Sequence, residues 1–296
     1  MTDPTDISLA RTGVAVLTYN KVRLARRCLQ SVLAAGWKAG DVLCYHNGSS
    51  PPNREEIQTA FPAVQHCGET FNRGFSGGFN RALQEMFRQG YRAVFFLTND
   101  TTITATTLPS CVEQAVRTGA GMVAPAVHYR SRPQAIHSLG GYFDFEALRL
   151  CHYQVTPLPK RLDPARDYIP GTALLITRDT FTALSGADET YFTYWEDVDL
   201  CFRAHRQKIP LARAADSVVM HSVGATCHKK PVYSSYYYQR NRLLFCSRFL
   251  TGGARQRARD RIREEIQDRI TSSRENRGPS NSKKVYHLKR ILAEFF

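Results

Sequence analysis

The sequence predicts an α/β fold in which a doubly wound first half is joined to a mixed-sheet second half and C-terminal helices. Three observations carry this. Short apolar runs alternate with amphipathic helical patterns from Gly13 to about Asp100. Those runs are apolar at nearly every position, as interior parallel strands are. From about Met122, hairpin-like runs replace the alternation.

"GVAVLTY" reads as a buried strand, followed by "KVRLARRCLQSVLAAG". In that segment Val22, Leu24, Cys28, Leu29, Val32 and Leu33 recur at helical spacing, and the helix should end near Gly36. "DVLCYH" is the second strand, before the loop "NGSSPPN", and "AVQHC" is a short third. "FSGGFNRALQEMFRQG" starts in glycines and becomes helical, and "RAVFFLTND" is the fourth strand. In the second half, "MVAPAVHY", "QAIHSLGGYFDF" and "ALRLCHYQV" read as hairpin strands, and "TALLITRDTF" as a strand entering a helix. "SVVMHSVGA" is a late strand and "VYSSYYYQRNRLLFCSRFL" an aromatic-rich helix. Beyond Gly252 the chain turns to Arg-rich helical sequence, a flexible linker "SSRENRGPSNS", and "KKVYHLKRILAEFF". There Val285, Leu288, Leu292 and Phe295 share a face opposite Lys284 and Arg290. This divides the chain into residues 1–250, with halves at about 13–125 and 126–250, and a basic helical tail at 251–296.

A chain of 296 residues, 43% hydrophobic and 22% charged, has globular composition and can build a real core. No apolar run reaches the roughly 18 residues of a membrane span. The first residues, "MTDPTDISLARTG", lack the apolar stretch of an export signal, so the expected location is cytoplasmic. None of the eight cysteines forms a CxxC pair, and Cys227-His228 is the only Cys/His adjacency; buried, reduced thiols are expected. The net charge of +14 calls for an anionic partner: nucleic acid, a membrane surface or a phosphorylated substrate. No nucleic-acid-binding module is recognisable, and no nucleic-acid partner is expected.

Ligands of doubly wound sheets sit at the carboxyl ends of the strands, so Thr18–Asn20, His46–Ser50, Asn72–Gly78 and Thr98–Thr102 are the residues of interest. Asp100 ends an apolar strand, where a carboxylate costs solvation unless a cation or water receives it; a turn residue or a metal ligand are the alternatives. "TYWEDVDLCFRAH" crowds Glu196, Asp197 and Asp199 behind Tyr194 and Trp195. In a helix Asp199 and Arg203 make an i,i+4 ion pair, whereas Asp197 points about 100° from Glu196, in the first turn where the dipole favours the carboxylate. Asp197 is thus a candidate general base. His221 and the glycines of "NRGFSGGFN" are each weak signals, with structural roles as the plainer alternative.

Taken in order, "LTYNKVRLARRCLQSVL", "HNGSS", "NRGFSGGFN", "FFLTND", "YIPGTALLITRDTF", "YFTYWEDVDLCFRA", "HSVGAT" and "YYYQRNRLLF" resemble the family 2 glycosyltransferases of GT-A fold. The resemblance is particularly to the rhamnosyltransferase-like bacterial members, and it covers about residues 13 to 250. It implies a Rossmann-like nucleotide-binding half and an acceptor half. The activity implied is inverting transfer of a sugar from a UDP- or dTDP-linked donor to a hydroxyl, using Mn²⁺ or Mg²⁺. Thr98-Asn99-Asp100 falls where the family has its DxD-type motif, so Asp100 would bind the ion, with His221 completing the set. Asp197 matches the family's base. Glu196, Tyr194 and Trp195 would meet the acceptor, the aromatic pair as a sugar-stacking wall or as core. Thr18, Tyr19, Asn20, Asn47 and Asn99 border the nucleotide, as do Asn72, Gly74, Gly77, Gly78 and Asn80. His46 stands where the family has an Asp that reads the base, and accepts a hydrogen bond only when neutral. The implied acceptor is a glycan or lipid-diphosphate-linked glycan of bacterial surface polysaccharide synthesis. The basic tail, near residues 283 to 296, is expected to attach to the anionic inner membrane surface. A non-catalytic sugar-nucleotide or glycan binding subunit is the alternative, since Thr98 and His46 depart from the pattern.

Overall fold

The computed structural model describes residues 7–155, 161–223, 231–275 and 279–296. Cys227-His228 and the end of "HSVGAT" lie outside the described residues. The chain forms two compact units. The first comprises residues up to Asp144, Leu150–Phe192 and Glu196–Val223; the second comprises Phe145–Arg149, Thr193–Trp195 and the residues from Gly224 on.

In the first unit, β1 (Thr12–Thr18), α1 (Val22–Ala34), β2 (Val42–Asn47), α2 (Pro51–Ala60), β3 (Gln65–Glu69), α3 (Gly74–Arg88) and β4 (Ala93–Thr98) follow the predicted alternation. Then come β5 (Thr101–Thr102), α4 (Thr107–Thr118), β6 (Met122–Tyr129), β7 (Arg132–Ser138), β8 (Gly141–Asp144), β9 (Arg149–His152) and β10 (Asp167–Tyr168). The last elements of this unit are β11 (Ala173–Thr177), α5 (Arg178–Leu184), α6 (Glu196–Arg206) and β12 (Leu211–His221). The main sheet runs β3-β2-β1-β4-β11-β6-β12-β5, with β7 on β6, and β10-β8-β9 form a smaller sheet. β1 to β4 are parallel among themselves, whereas β11 is antiparallel to both β4 and β6. The sheet is therefore mixed, as predicted.

Strand order places the carboxyl ends of β1 and β4 side by side, with β2 and β3 to one side and later strands to the other. That is the switch point where an open α/β sheet leaves a crevice. Val14, Val16, Phe95 and Leu97 pack with Ala25, Cys28, Leu29 and Val32 of α1 and Leu108 and Cys111 of α4. This core fixes the strand ends on which the site is built. The described cysteines are all free thiols.

The second unit holds α7 (Pro231–Phe249), α8 (Gly252–Glu275) and α9 (Pro279–Phe295). Helix runs to Glu275 and resumes at Pro279, so most of the expected linker is helical. Trp195 is 1% exposed and packs on Tyr238 and Phe245 at ring distances of 5.6 and 5.2 Å. The stacking-wall expectation for Trp195 is thereby corrected: a ring this deeply buried has no face left for a sugar. The backbone turns through left-handed angles at Tyr194 (φ 68°) and Trp195 (φ 75°), unusual for bulky residues. Asn241 Nδ2 donates to the carbonyls of both Thr193 and Tyr194, 2.8 Å each, and so holds this turn. Arg242 reaches Glu265 at 2.6 Å.

The apolar face of α9 is partly spent internally, with Leu288 buried and Val285, Leu292 and Phe295 half-buried. Leu288 and Ile291 are buried where α9 packs on α7 and α8, and Arg240 pairs with Glu294 at 2.9 Å. Insertion of the whole face into a membrane would require Leu288 and Ile291 to leave this packing. Leu288→Ala is expected to cost this unit about 2–5 kcal/mol. Denaturant unfolding followed by a probe in the helices measures it.

Candidate functional site

Asp100 follows β4 directly, and His221 ends β12. Antiparallel pairing of His221 with Thr101 brings the two together, and Ser222 N donates to Asp100 O at 2.9 Å. His221 Nε2 stands 3.4 Å from Asp100 Oδ2, with side chains only 14% and 9% exposed. Burial by itself would raise the Asp100 carboxyl, but its hydrogen bond to and charge pairing with His221, helped by Thr98, hold it below its usual value. An oxygen and a nitrogen bound to one octahedral ion at about 2.1 Å are about 3 Å apart. The pair is thus spaced, and chemically suited, to hold Mg²⁺ or Mn²⁺ with further oxygens from a ligand.

Asp197 stands in the first turn of α6, half-buried. Its Oδ2 accepts from Gly171 N at 3.0 Å and its Oδ1 from Val198 N at 2.9 Å. Burial pushes this carboxyl up; the two amides and nearby His152 oppose that but do not cancel it. Gly171 eases the approach, since a Cβ there would lie 3.2 Å from Asp197 Cβ and from Phe75 Cζ, a tight contact. The next residue completes a bridge. Thr172 O accepts from Thr98 N at 3.0 Å and from Thr98 Oγ1 at 3.3 Å. Two consecutive residues, Gly171 and Thr172, thus tie Asp197 to the strand end that carries Asp100.

The other acids differ in role. Asp199 is fully buried, 2.6 Å from Arg203 Nε, and accepts from Tyr191 OH at 3.1 Å, which bears out the i,i+4 brace. Glu196 is buried, and burial followed by the charges of Asp197 and Asp199 drives its carboxyl far up. A carboxyl whose folded value exceeds its unfolded one adds stability at low pH, and that stability is lost as pH rises through the folded value. Glu196→Gln should therefore remove this loss and leave the variant more stable than wild type at neutral pH. Chemical denaturation at acidic and neutral pH gives the comparison.

Among the nucleotide-side residues, Thr18 Oγ1 accepts from Asn99 Nδ2 at 3.0 Å, joining the ends of β1 and β4. Asn20 Oδ1 accepts from Ser50 N and Asn53 Nδ2, at 2.7 and 3.0 Å, and Tyr19 beside it is exposed. Thr18 and Asn99 are buried, Asn20 is half-buried and Tyr19 is exposed. Asn47 donates to Gly74 O (2.7 Å) and Asn72 Oδ1 (3.1 Å), and Asn72 Oδ1 accepts from Gly74 N. Asn80 spends its amide on Ala187 and Glu189. A Cβ at Gly74, Gly77 or Gly78 would strike Phe192, Arg73 or Leu17 respectively. The polar groups and glycines of this loop are therefore engaged in protein packing. His46 is also turned inward: its ring is fully buried and its Nε2 lies 3.2 Å from His66 Nδ1, so in this conformation it presents no atom to a base.

Sequence reasoning missed several of these partners. Gly171 and Thr172 sat inside a recognised motif without a role. His137 and His152 were read only as hairpin residues, yet the His137 ring lies 5.6 Å from that of His221 and 5.7 Å from that of His152. No spacing in the sequence links them, because the strands meet only in the fold.

Residues 13–152 match the family described as Glycosyl transferase family 2. The matched segment contains Thr18–Asn20, Asn47, Asn72–Asn80 and Asp100; Asp197 and His221 lie beyond it. No curated protein sequence matches the chain. Among solved structures, the mannosyltransferase PcManGT from Pyrobaculum calidifontis in complex with GDP-Man and Mn²⁺ is 14% identical. That likeness has a TM-score of 0.59 and covers 96% of this chain and 74% of that one. TarS residues 1–349 from S. aureus are 11% identical at TM-score 0.55, covering 80% of this chain and 65% of that one. GalNAc-T7 with UDP, GalNAc and Mn²⁺ is 14% identical at 0.57, covering 88% and 57%. The chain spans less than two thirds of the latter two. At these identities the likeness establishes the GT-A fold.

Proposed function

We propose that the protein is an inverting, divalent-metal-dependent glycosyltransferase, moving a sugar from a nucleoside diphosphate-sugar to a hydroxyl of a glycan or lipid-linked glycan. The observation that supports this reading is the Gly171–Thr172 bridge, whose hydrogen bonds link the candidate base Asp197 to the end of the strand that leads into Asp100. The Asp197 carboxylate takes the acceptor hydroxyl's proton as that oxygen attacks the anomeric carbon opposite the departing diphosphate. The Gly171 and Val198 amides aim the carboxylate, and the N-terminus of α6 favours its charge. Asp100 and His221 would hold the ion, which when bound supplies positive charge against the leaving diphosphate.

Thr18, Tyr19, Asn20 and Asn99 border the nucleotide. PcManGT was solved with GDP-Man and TarS with UDP. UDP and dTDP remain our proposal for this chain, with surface polysaccharide synthesis as the setting. Glu196, being buried, would touch the acceptor through its neighbours' backbone at most. Among the described residues no helix is long and apolar enough to cross a membrane. Because Leu288 is buried and the rest of the α9 apolar face half-buried, anchoring to an anionic surface would be mainly electrostatic. Sedimentation with anionic liposomes should then fall steeply as salt is raised.

The function is tested by screening sugar nucleotides for Mn²⁺-dependent nucleoside diphosphate release. Release from one donor, stimulated by an acceptor glycan, is expected. Thr98 in place of a carboxylate favours the second reading, a non-catalytic binding subunit. Donor binding without release from any donor and acceptor pair would select it.

A further inference from the structure

At the β2–β3 edge of the sheet lies a second cluster of metal-ligating side chains, separate from the Asp100–Asp197 crevice. Cys44 and His46 alternate onto one side of β2, and the parallel register sets Cys44 opposite His66 on β3. One ligand atom from each of the three lies within 4.8 Å of the other two. His46 Nε2 and His66 Nδ1 are 3.2 Å apart. Two nitrogens on one tetrahedral zinc, each at about 2.0–2.1 Å, are about 3.3 Å apart, so the spacing of this hydrogen-bonded pair also suits a shared ion, with the sulfur to settle at about 3.6 Å from each nitrogen.

The tautomers suit the same task. His66 Nε2 lies 3.0 Å from the Phe61 carbonyl oxygen, which can only accept. That nitrogen therefore carries the ring proton, and the Nδ1 lone pair turns toward His46. Anchoring the outer nitrogen of a histidine to a backbone carbonyl is the arrangement that orients metal-bound imidazoles. His46 Nδ1 is buried without a hydrogen-bond partner, so moving the ring's proton there leaves an unsatisfied donor whose cost of about 1–3 kcal/mol the metal bond must offset.

We propose that Cys44, His46 and His66 form a metal site that takes Zn²⁺ through one thiolate and two imidazoles, leaving a fourth position for water. On binding, the Cys44 thiol gives its proton to solvent and a sulfur–zinc bond forms. The His46 proton moves from Nε2 to Nδ1, and no redox change occurs. The site would staple β2 to β3, a role distinct from the sugar transfer proposed above and independent of it.

The test is titration of the full-length, chelator-stripped protein with Co²⁺. Wild type should give a near-ultraviolet thiolate-to-cobalt band saturating at one equivalent, lost on adding Zn²⁺. Cys44→Ser should abolish the band. His66→Gln, which keeps the sulfur, should weaken Co²⁺ binding by about tenfold or more. Cys67→Ser, on the opposite side of β3, and Asp100→Asn should keep both band and affinity. Absence of the band in wild type, its survival in Cys44→Ser, or its loss in Cys67→Ser would overturn the site. Should Cys44→Ser fail to fold, His66→Gln decides: unchanged Co²⁺ affinity rejects the proposal.

Discussion

Asp197→Asn should lower kcat by about 10²–10⁴-fold while leaving donor affinity unchanged. The amide oxygen of Asn can still accept from Gly171 N, while the bond from Val198 N is lost because the amide NH₂ only donates. Also lost is the capacity to take a proton. Single-turnover rates with saturating donor, beside donor binding by calorimetry, separate the two effects. The pH profile adds a second arm. Burial raises the Asp197 carboxyl above its ordinary value, and a base works only when deprotonated. The wild-type rate should therefore rise with pH along a limb displaced upward from the usual aspartate range. In Asp197→Asn that limb should vanish; a residual rate with the same limb would assign the base elsewhere.

Asp100→Asn should reduce kcat/KM by about 10²–10³-fold and abolish stimulation by Mn²⁺. Asn keeps the size and one acceptor oxygen but carries no charge, and the carboxylate is what the crevice holds ionised beside His221. Mn²⁺ binding in the presence of nucleoside diphosphate, followed by electron paramagnetic resonance, should weaken in parallel. Because Asp100 and Asp197 act on opposite partners of the reaction, donor binding should distinguish them: weakened in the first variant, intact in the second.

Much of this arrangement was legible in the chain. Uniform apolar runs such as "RAVFFLTND" identify interior strands, because a strand covered on both faces has no polar side to show. The Asp199–Arg203 brace followed from helical spacing alone. Local pattern failed where the partner is remote. Trp195, beside an acid cluster, resembles a sugar platform, but the left-handed turn at Tyr194 and Trp195 sends the ring into the helical unit's core. The apolar stripe of α9 carries the signature of a membrane-surface helix; α7 and α8 cover part of it, and periodicity cannot tell a lipid from a neighbouring helix. The glycines after Asn72 mimic a phosphate cradle, yet each makes room for protein atoms. The Gly171–Thr172 bridge joins residues more than seventy positions apart on one side and about twenty-six on the other, a relation only the folded sheet reveals.

The most direct measurement is anomalous diffraction from crystals grown with Mn²⁺ and a nucleoside diphosphate. The predicted result is a manganese peak between Asp100 Oδ2 and His221 Nε2, with the diphosphate on the side of the crevice that Asp197 faces. Manganese bound elsewhere, or a diphosphate on a surface remote from Asp197, would contradict the account.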